Sequence, residues 1–83
     1  MNEALAVALG RWALAIEPSG NLVVVITPHG YASALAEAID VSHHPHIAGT
    51  IAGENTVLLV SREPMTGAQL AEELQAQSLR GAA

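Results

Sequence analysis

The spacing of hydrophobic positions changes several times along the chain, and each change marks an element. Residues 2–9 are rich in Ala and Leu and predict a short helix closed by Gly10. From residue 11 to 17 apolar positions alternate, with Trp12, Leu14 and Ile16 on one face, as a half-buried strand requires. Pro18-Ser19-Gly20-Asn21 is a turn signal, and the β-branched run over 21–27 predicts the second strand of a hairpin. Thr27-Pro28 then reads as a helix start, with Thr27 as N-cap and Pro28 in the first helical position. That helix runs through Tyr31, Leu35, Ala38 and Ile39 and ends near Asp40. A polar loop over 41–46 leads to a third strand, Ile47–Ala52, a turn at Gly53-Glu54-Asn55, and a fourth strand, Thr56–Ser61. Thr66-Gly67-Ala68-Gln69 fits a capping box, in which Gln69 reaches back to the Thr66 amide. It opens a last helix that presents Leu70 and Leu74 to the core and runs to about Leu79, where Arg80 and Gly81 are ordinary helix-end residues.

This order predicts an α+β fold, a two-layer ββαββα domain preceded by a short helix. Its four-stranded, mainly antiparallel sheet has two helices on one face. Residues 1–9 read as a linker helix, 10–79 as the domain and 80–83 as a tail. The runs 22–26 and 57–60 are apolar at successive positions, so both faces of the sheet seek cover, whereas two helices can cover only one. The first core helix also presents Ala32, Ala34, Ala36 and Ala38 around its circumference, small enough for a second helix to approach closely.

Composition strengthens the inference of self-association. The chain is 51% hydrophobic and only 13% charged over 83 residues, a balance too apolar for a small free monomer. No apolar run approaches the roughly 20 residues a membrane span needs. The first nine residues carry Glu3 and no basic start, unlike a signal peptide. There is no cysteine, which excludes disulfides, thiolate zinc sites and thiol nucleophiles and fits a cytoplasmic protein. Three arginines and no lysine face eight acids, for a net charge of −5. Such a segment lacks the clustered cations that phosphate contacts require and should not bind nucleic acid by itself. It suits a cationic ligand better.

Two other chemistries find little support in the residues. His43-His44-Pro45-His46 offers imidazoles, but no cysteine and no carboxylate stands at a ligating spacing, so no metal site is assigned and the default reading is a polar loop that titrates near neutral pH. An enzyme would need a nucleophile, base and orienter at workable spacing, and none is visible; His29, near a helix start, stands alone.

The run Gly49-Thr50-Ile51-Ala52-Gly53-Glu54-Asn55-Thr56 resembles the C-terminal domain of bacterial arginine repressors, whose last two strands are joined through Gly-Thr-Ile-Ala-Gly, two acids and Thr. The likeness extends through residues 19–24, Thr27-Pro28-His29-Gly30, the helix ending Ala38-Ile39-Asp40, and residues 61–70, which are similar to actinobacterial members. It spans about residues 4–77 in consistent order. The resemblance implies trimers whose helices pack inward, two trimers stacked as a hexamer, and L-arginine bound between them as corepressor ligand, with no other cofactor. A separate winged helix-turn-helix domain would bind operator DNA. The chain is accordingly expected to be a fragment lacking that half, and not an enzyme.

By the same resemblance, Asp40, Glu54, Asn55, Ser33, Thr50 and Ala52 would contact the ligand. Carboxylates suit this role because a guanidinium presents a planar fork of donors. Asp40 is the sole aspartate and lies near a helix C-terminus, where the macrodipole opposes its charge. It also reads as an ordinary residue of the exit turn. The family's aspartate pair is replaced by Glu54-Asn55, so one charge per subunit is missing. Gly53-Glu54-Asn55 also reads as a plain hairpin turn. Ser33 stands where relatives place Gln or His and reaches less far. For Thr50 and Ala52, strand packing competes with ligand contact. The functional alternative is a structural trimer or hexamer module with weakened or altered amino-acid binding.

Overall fold

The computed structural model describes residues 3–82. Its elements are α1 (Glu3–Trp12), β1 (Ala15–Ser19), β2 (Leu22–Ile26), α2 (Ala32–Ser42), β3 (Ile47–Ala52), β4 (Thr56–Ser61) and α3 (Gly67–Ala82). The four strands form one antiparallel sheet in the order β1-β2-β4-β3. This is the α+β architecture expected from the pattern.

Cross-strand pairing sorts the sheet residues into two faces. Ile16, Val25 and Val57 form one row, and Val23 and Leu59 stand in the next. These residues meet Leu35 and Ile39 of α2, Leu70 and Leu74 of α3, and Leu5 and Leu9 of α1 in a single core. Burying one such Leu or Val is worth about 1.5–3 kcal/mol. Helix α1 lies against both α3 and α2 and completes the helical layer. The other face carries the row Glu17, Val24, Leu58, Ile51 and, beside it, Leu22 and Val60. No element covers it among the described residues, and Ile51 is 68% exposed.

Several element boundaries depart from the sequence reading. Helix α1 does not stop at Gly10 but runs to Trp12, so β1 starts only at Ala15 and continues through Pro18 to Ser19. Gly10 and Gly81 lie where α1 crosses α3, and a Cβ on either would collide with the other helix's backbone. Close approach, not helix termination, explains these glycines, and α3 accordingly extends past Leu79 to Ala82. Pro18 is tolerated because β1 is an edge strand, where a missing amide costs no ladder bond.

Helix α2 starts at Ala32, not at Pro28. Thr27 is not its N-cap: its amide donates to Asn55 O (2.8 Å) and its hydroxyl to Pro28 O (2.9 Å). Residues 28–31 form a turn closed by Tyr31 N donating to Pro28 O (3.2 Å), with Gly30 at φ 86°, a conformation glycine adopts without strain. Helix α2 has no side-chain cap. The amides of Gly30 and Ala32 donate instead to Glu54 O, at 3.0 and 3.4 Å. A carbonyl from a distant turn therefore does what Thr27 was expected to do. The capping box on α3 forms as read: Thr66 N donates to Gln69 Oε1 (2.9 Å) and Gln69 N to Thr66 Oγ1 (3.1 Å).

Candidate functional site

Helix α2 and the β3–β4 hairpin carry all six residues picked out from the sequence, and the fold divides them between the two ends of the helix. Glu54 and Asn55 occupy the turn, against the start of α2. Glu54 is exposed, and its Oε1 lies 3.4 Å from His29 Nδ1, a loose contact between two exposed groups. Asn55 is half-buried; its carbonyl accepts from Thr27 N, and its Oδ1 accepts from Thr56 Oγ1 at 3.1 Å. Both residues thus hold the α2 start in place through backbone carbonyls while their side chains stay near the surface. Ser33, the second residue of α2, is exposed. Ala52 ends β3 opposite Val57 and is also exposed.

Asp40 stands at the other end of α2. The helix continues to Ser42, so Asp40 lies in its last turn, where its carbonyl accepts from His43 N (3.2 Å). His43 terminates the helix in the left-handed conformation, φ 51°. Asp40 and Thr50 line one cleft of about 330 Å³, together with His43, His44, Gly49 and Arg62. At 1.5 Å per residue, Asp40 sits about 12 Å along the axis from Ala32, the residue that touches Glu54. Glu54 and Asn55 do not line the Asp40 cleft.

Arg62 was missed in the sequence. It directly follows β4 and enters the cleft because Arg62 N donates to His46 O (2.8 Å), tying the strand exit to the α2–β3 loop. Only the pairing of residues 16 apart reveals it. With Asp40 and Arg62 the cleft holds one formal negative and one formal positive group, a combination that matches a zwitterion.

The α2–β3 loop also reaches α3. His44 Nε2 lies 2.8 Å from Glu73 Oε1, and His46 Nδ1 lies 3.3 Å from Glu73 Oε2. The fold therefore places a carboxylate against the histidine loop, where the local sequence has none. No helix among the described residues is long and apolar enough to cross a membrane.

Residues 9–76, most of the chain, match the model of the arginine repressor C-terminal domain. This is a family of repressor regulatory domains and not of enzymes. The chain therefore belongs to the arginine repressor C-terminal domain family, as a repressor's regulatory and oligomerisation domain.

Proposed function

We propose that this domain senses L-arginine for a cytoplasmic repressor of arginine metabolism, binding the amino acid between trimers and so stabilising a hexamer. The observation that carries this reading is the split of the acceptors. Asp40 and Thr50 lie at one end of α2, and Glu54, Asn55, Ser33 and Ala52 gather toward the other. One copy cannot bring Asp40 and Glu54 onto the same small ligand, whereas adjoining copies can. A ligand that needs acceptors from more than one subunit binds only the assembled state and stabilises it.

The surface supports assembly. The sheet face bearing Val24, Leu58 and Ile51 is uncovered, and Val7 and Val41 are exposed beside a second, largely apolar cleft between α1 and α2. A trimer and a trimer–trimer contact need two such surfaces per subunit. DNA binding would fall to a separate domain.

A structural module with weakened or altered amino-acid binding is the second reading. It is favoured by Asn55 in place of an acid, since neutral acceptors bind a guanidinium about half as strongly as charged ones.

Light scattering at low micromolar protein, with and without L-arginine, tests the proposal. The expected result is a trimer that becomes a hexamer, with a melting temperature that rises with ligand. A hexamer indifferent to L-arginine would leave the structural reading, and a monomer under both conditions would overturn both.

A further inference from the structure

We propose that His44, His46 and Glu73 form a binding site for a late first-row divalent cation, of the zinc, cobalt or nickel kind. The three side chains come from two separate parts of the chain, the α2–β3 loop and the middle of α3. One ligand atom from each lies within 4.8 Å of the others. In tetrahedral coordination at about 2.0–2.1 Å per bond, neighbouring ligand atoms stand roughly 3.3 Å apart. His44 Nε2 lies 2.8 Å from Glu73 Oε1 and His46 Nδ1 lies 3.3 Å from Glu73 Oε2, so the carboxylate already stands at coordination range of both rings. Two imidazoles and one carboxylate select borderline metals over magnesium and calcium, which prefer all-oxygen shells.

The donors are also held in place. The His44 side chain is only 6% exposed, and its rotation is restricted on both edges: Nε2 faces Glu73, and Nδ1 accepts from His46 N at 3.1 Å. Glu73 and His46 are each part-exposed, at 36% and 43%, which leaves a path for the ion. A second, independent feature lies in the same groove. Gln77 is one helical turn beyond Glu73 on the same face of α3 and nine-tenths buried. Its Oε1 has no hydrogen-bond partner among the described residues. A buried amide oxygen without a donor is costly, and a metal-bound water would supply the missing donor. Arg80, which also lines the groove, has its Nε 3.7 Å from Glu3 Oε1.

Binding has a defined proton consequence. In the free protein the backbone amide of His46 can only donate, so His44 Nδ1 is unprotonated and the neutral ring carries its proton on Nε2, toward Glu73. A metal on Nε2 takes that position, and the ring proton moves to Nδ1. The His46 amide then loses its acceptor, which its resonance should report. His43, the left-handed end of α2, is not one of the three clustered side chains.

The test uses the tag-free chain, titrated with Zn²⁺ by calorimetry and with Co²⁺ by visible absorption. The expected result is one ion per chain at micromolar affinity, a tetrahedral Co²⁺ spectrum, and a shifted His46 amide resonance. Removing only an outer-shell partner of a metal site already costs 10–100-fold, so His46→Ala and Glu73→Gln should each weaken binding by at least about tenfold. His43→Ala should leave binding unchanged. His44→Ala removes a nearly buried ring, so His46→Ala and Glu73→Gln, at part-exposed positions and checked by circular dichroism, carry the decision. Binding only at millimolar metal, equal binding by Glu73→Gln, or a loss in His43→Ala as large as in His46→Ala would overturn the site in favour of loose attachment to a histidine loop.

Discussion

Replacing Gly67 by alanine should destabilise the domain although alanine is the better helix former. Gly67 is buried at the first residue of α3, against the β1–β2 turn. An added Cβ would lie 2.5 Å from Gly20 O, 2.6 Å from Leu22 O and 3.1 Å from Leu22 N, all backbone atoms. Ordinary contact begins at 3.4 Å, so helix and turn must part by about 0.9 Å. The turn is not free to move. Gly67 N donates to Gly20 O (3.1 Å), and Asn21 O accepts from both Ser61 N and Ser61 Oγ, each at 2.9 Å. Overpacking of this kind costs about 1–3 kcal/mol, and each weakened hydrogen bond about 1 kcal/mol. The opposing gain in helix propensity is at most about 1 kcal/mol, and less at a first helical position. The net loss is about 1–3 kcal/mol, which at 4–8 °C per kcal/mol lowers the melting temperature by roughly 5–20 °C. Circular dichroism melts at one fixed protein concentration measure it, because assembly makes the midpoint concentration-dependent. Gly53→Ala is the control: its Cβ meets nothing nearer than Thr56 O at 3.7 Å. A Gly67→Ala midpoint within about 2 °C of the parent would refute the steric reasoning.

Other expectations follow from the same contacts. Asn55→Asp restores the second acid of the turn and keeps an oxygen facing Thr56 Oγ1; charge-assisted bonds exceed neutral ones by about 1 kcal/mol, so calorimetry should show L-arginine binding about fivefold tighter, and unchanged affinity would mean the missing charge is immaterial. Ile51→Glu, at a position 68% exposed, should keep the circular dichroism spectrum while shifting the mass in solution to a smaller species; an unchanged mass would show that the open sheet face is not an interface. Leu59→Ala empties a fully buried position in the central strand and should cost about 2–5 kcal/mol, read as a lower urea midpoint at constant m-value.

The local chemistry of the sequence determined much of this domain. Strands β3 and β4 emerge with the bounds that the sequence reading placed between the flanking loop and turn residues, and the capping box at Thr66 and Gln69 forms because both partners lie three residues apart. The resemblance around Gly49–Thr56 identified the family because it rests on contiguous residues, and contiguity survives any folding. Surplus apolar residues on β2 and β4 foretold the uncovered sheet face for the same reason, since strand residues alternate between faces whatever lies beyond them.

What sequence could not supply arises wherever a partner comes from a distant part of the chain. Gly10 and Gly81 look like helix ends, and only the crossing of α1 with α3 makes them contact points. Thr27 looks like an N-cap, yet the carbonyl of Glu54 receives the amides of Gly30 and Ala32 at the entry to α2, because the β3–β4 turn folds against them. Arg62 enters the Asp40 cleft through a hydrogen bond to His46. Glu73 meets His44 across 29 residues of sequence, which is why a histidine loop without a local carboxylate gained one. The separation of Asp40 from Glu54 by the length of α2 likewise belongs to the fold. Period and propensity act over a few residues, whereas these contacts exist only after loop closure has brought remote segments together.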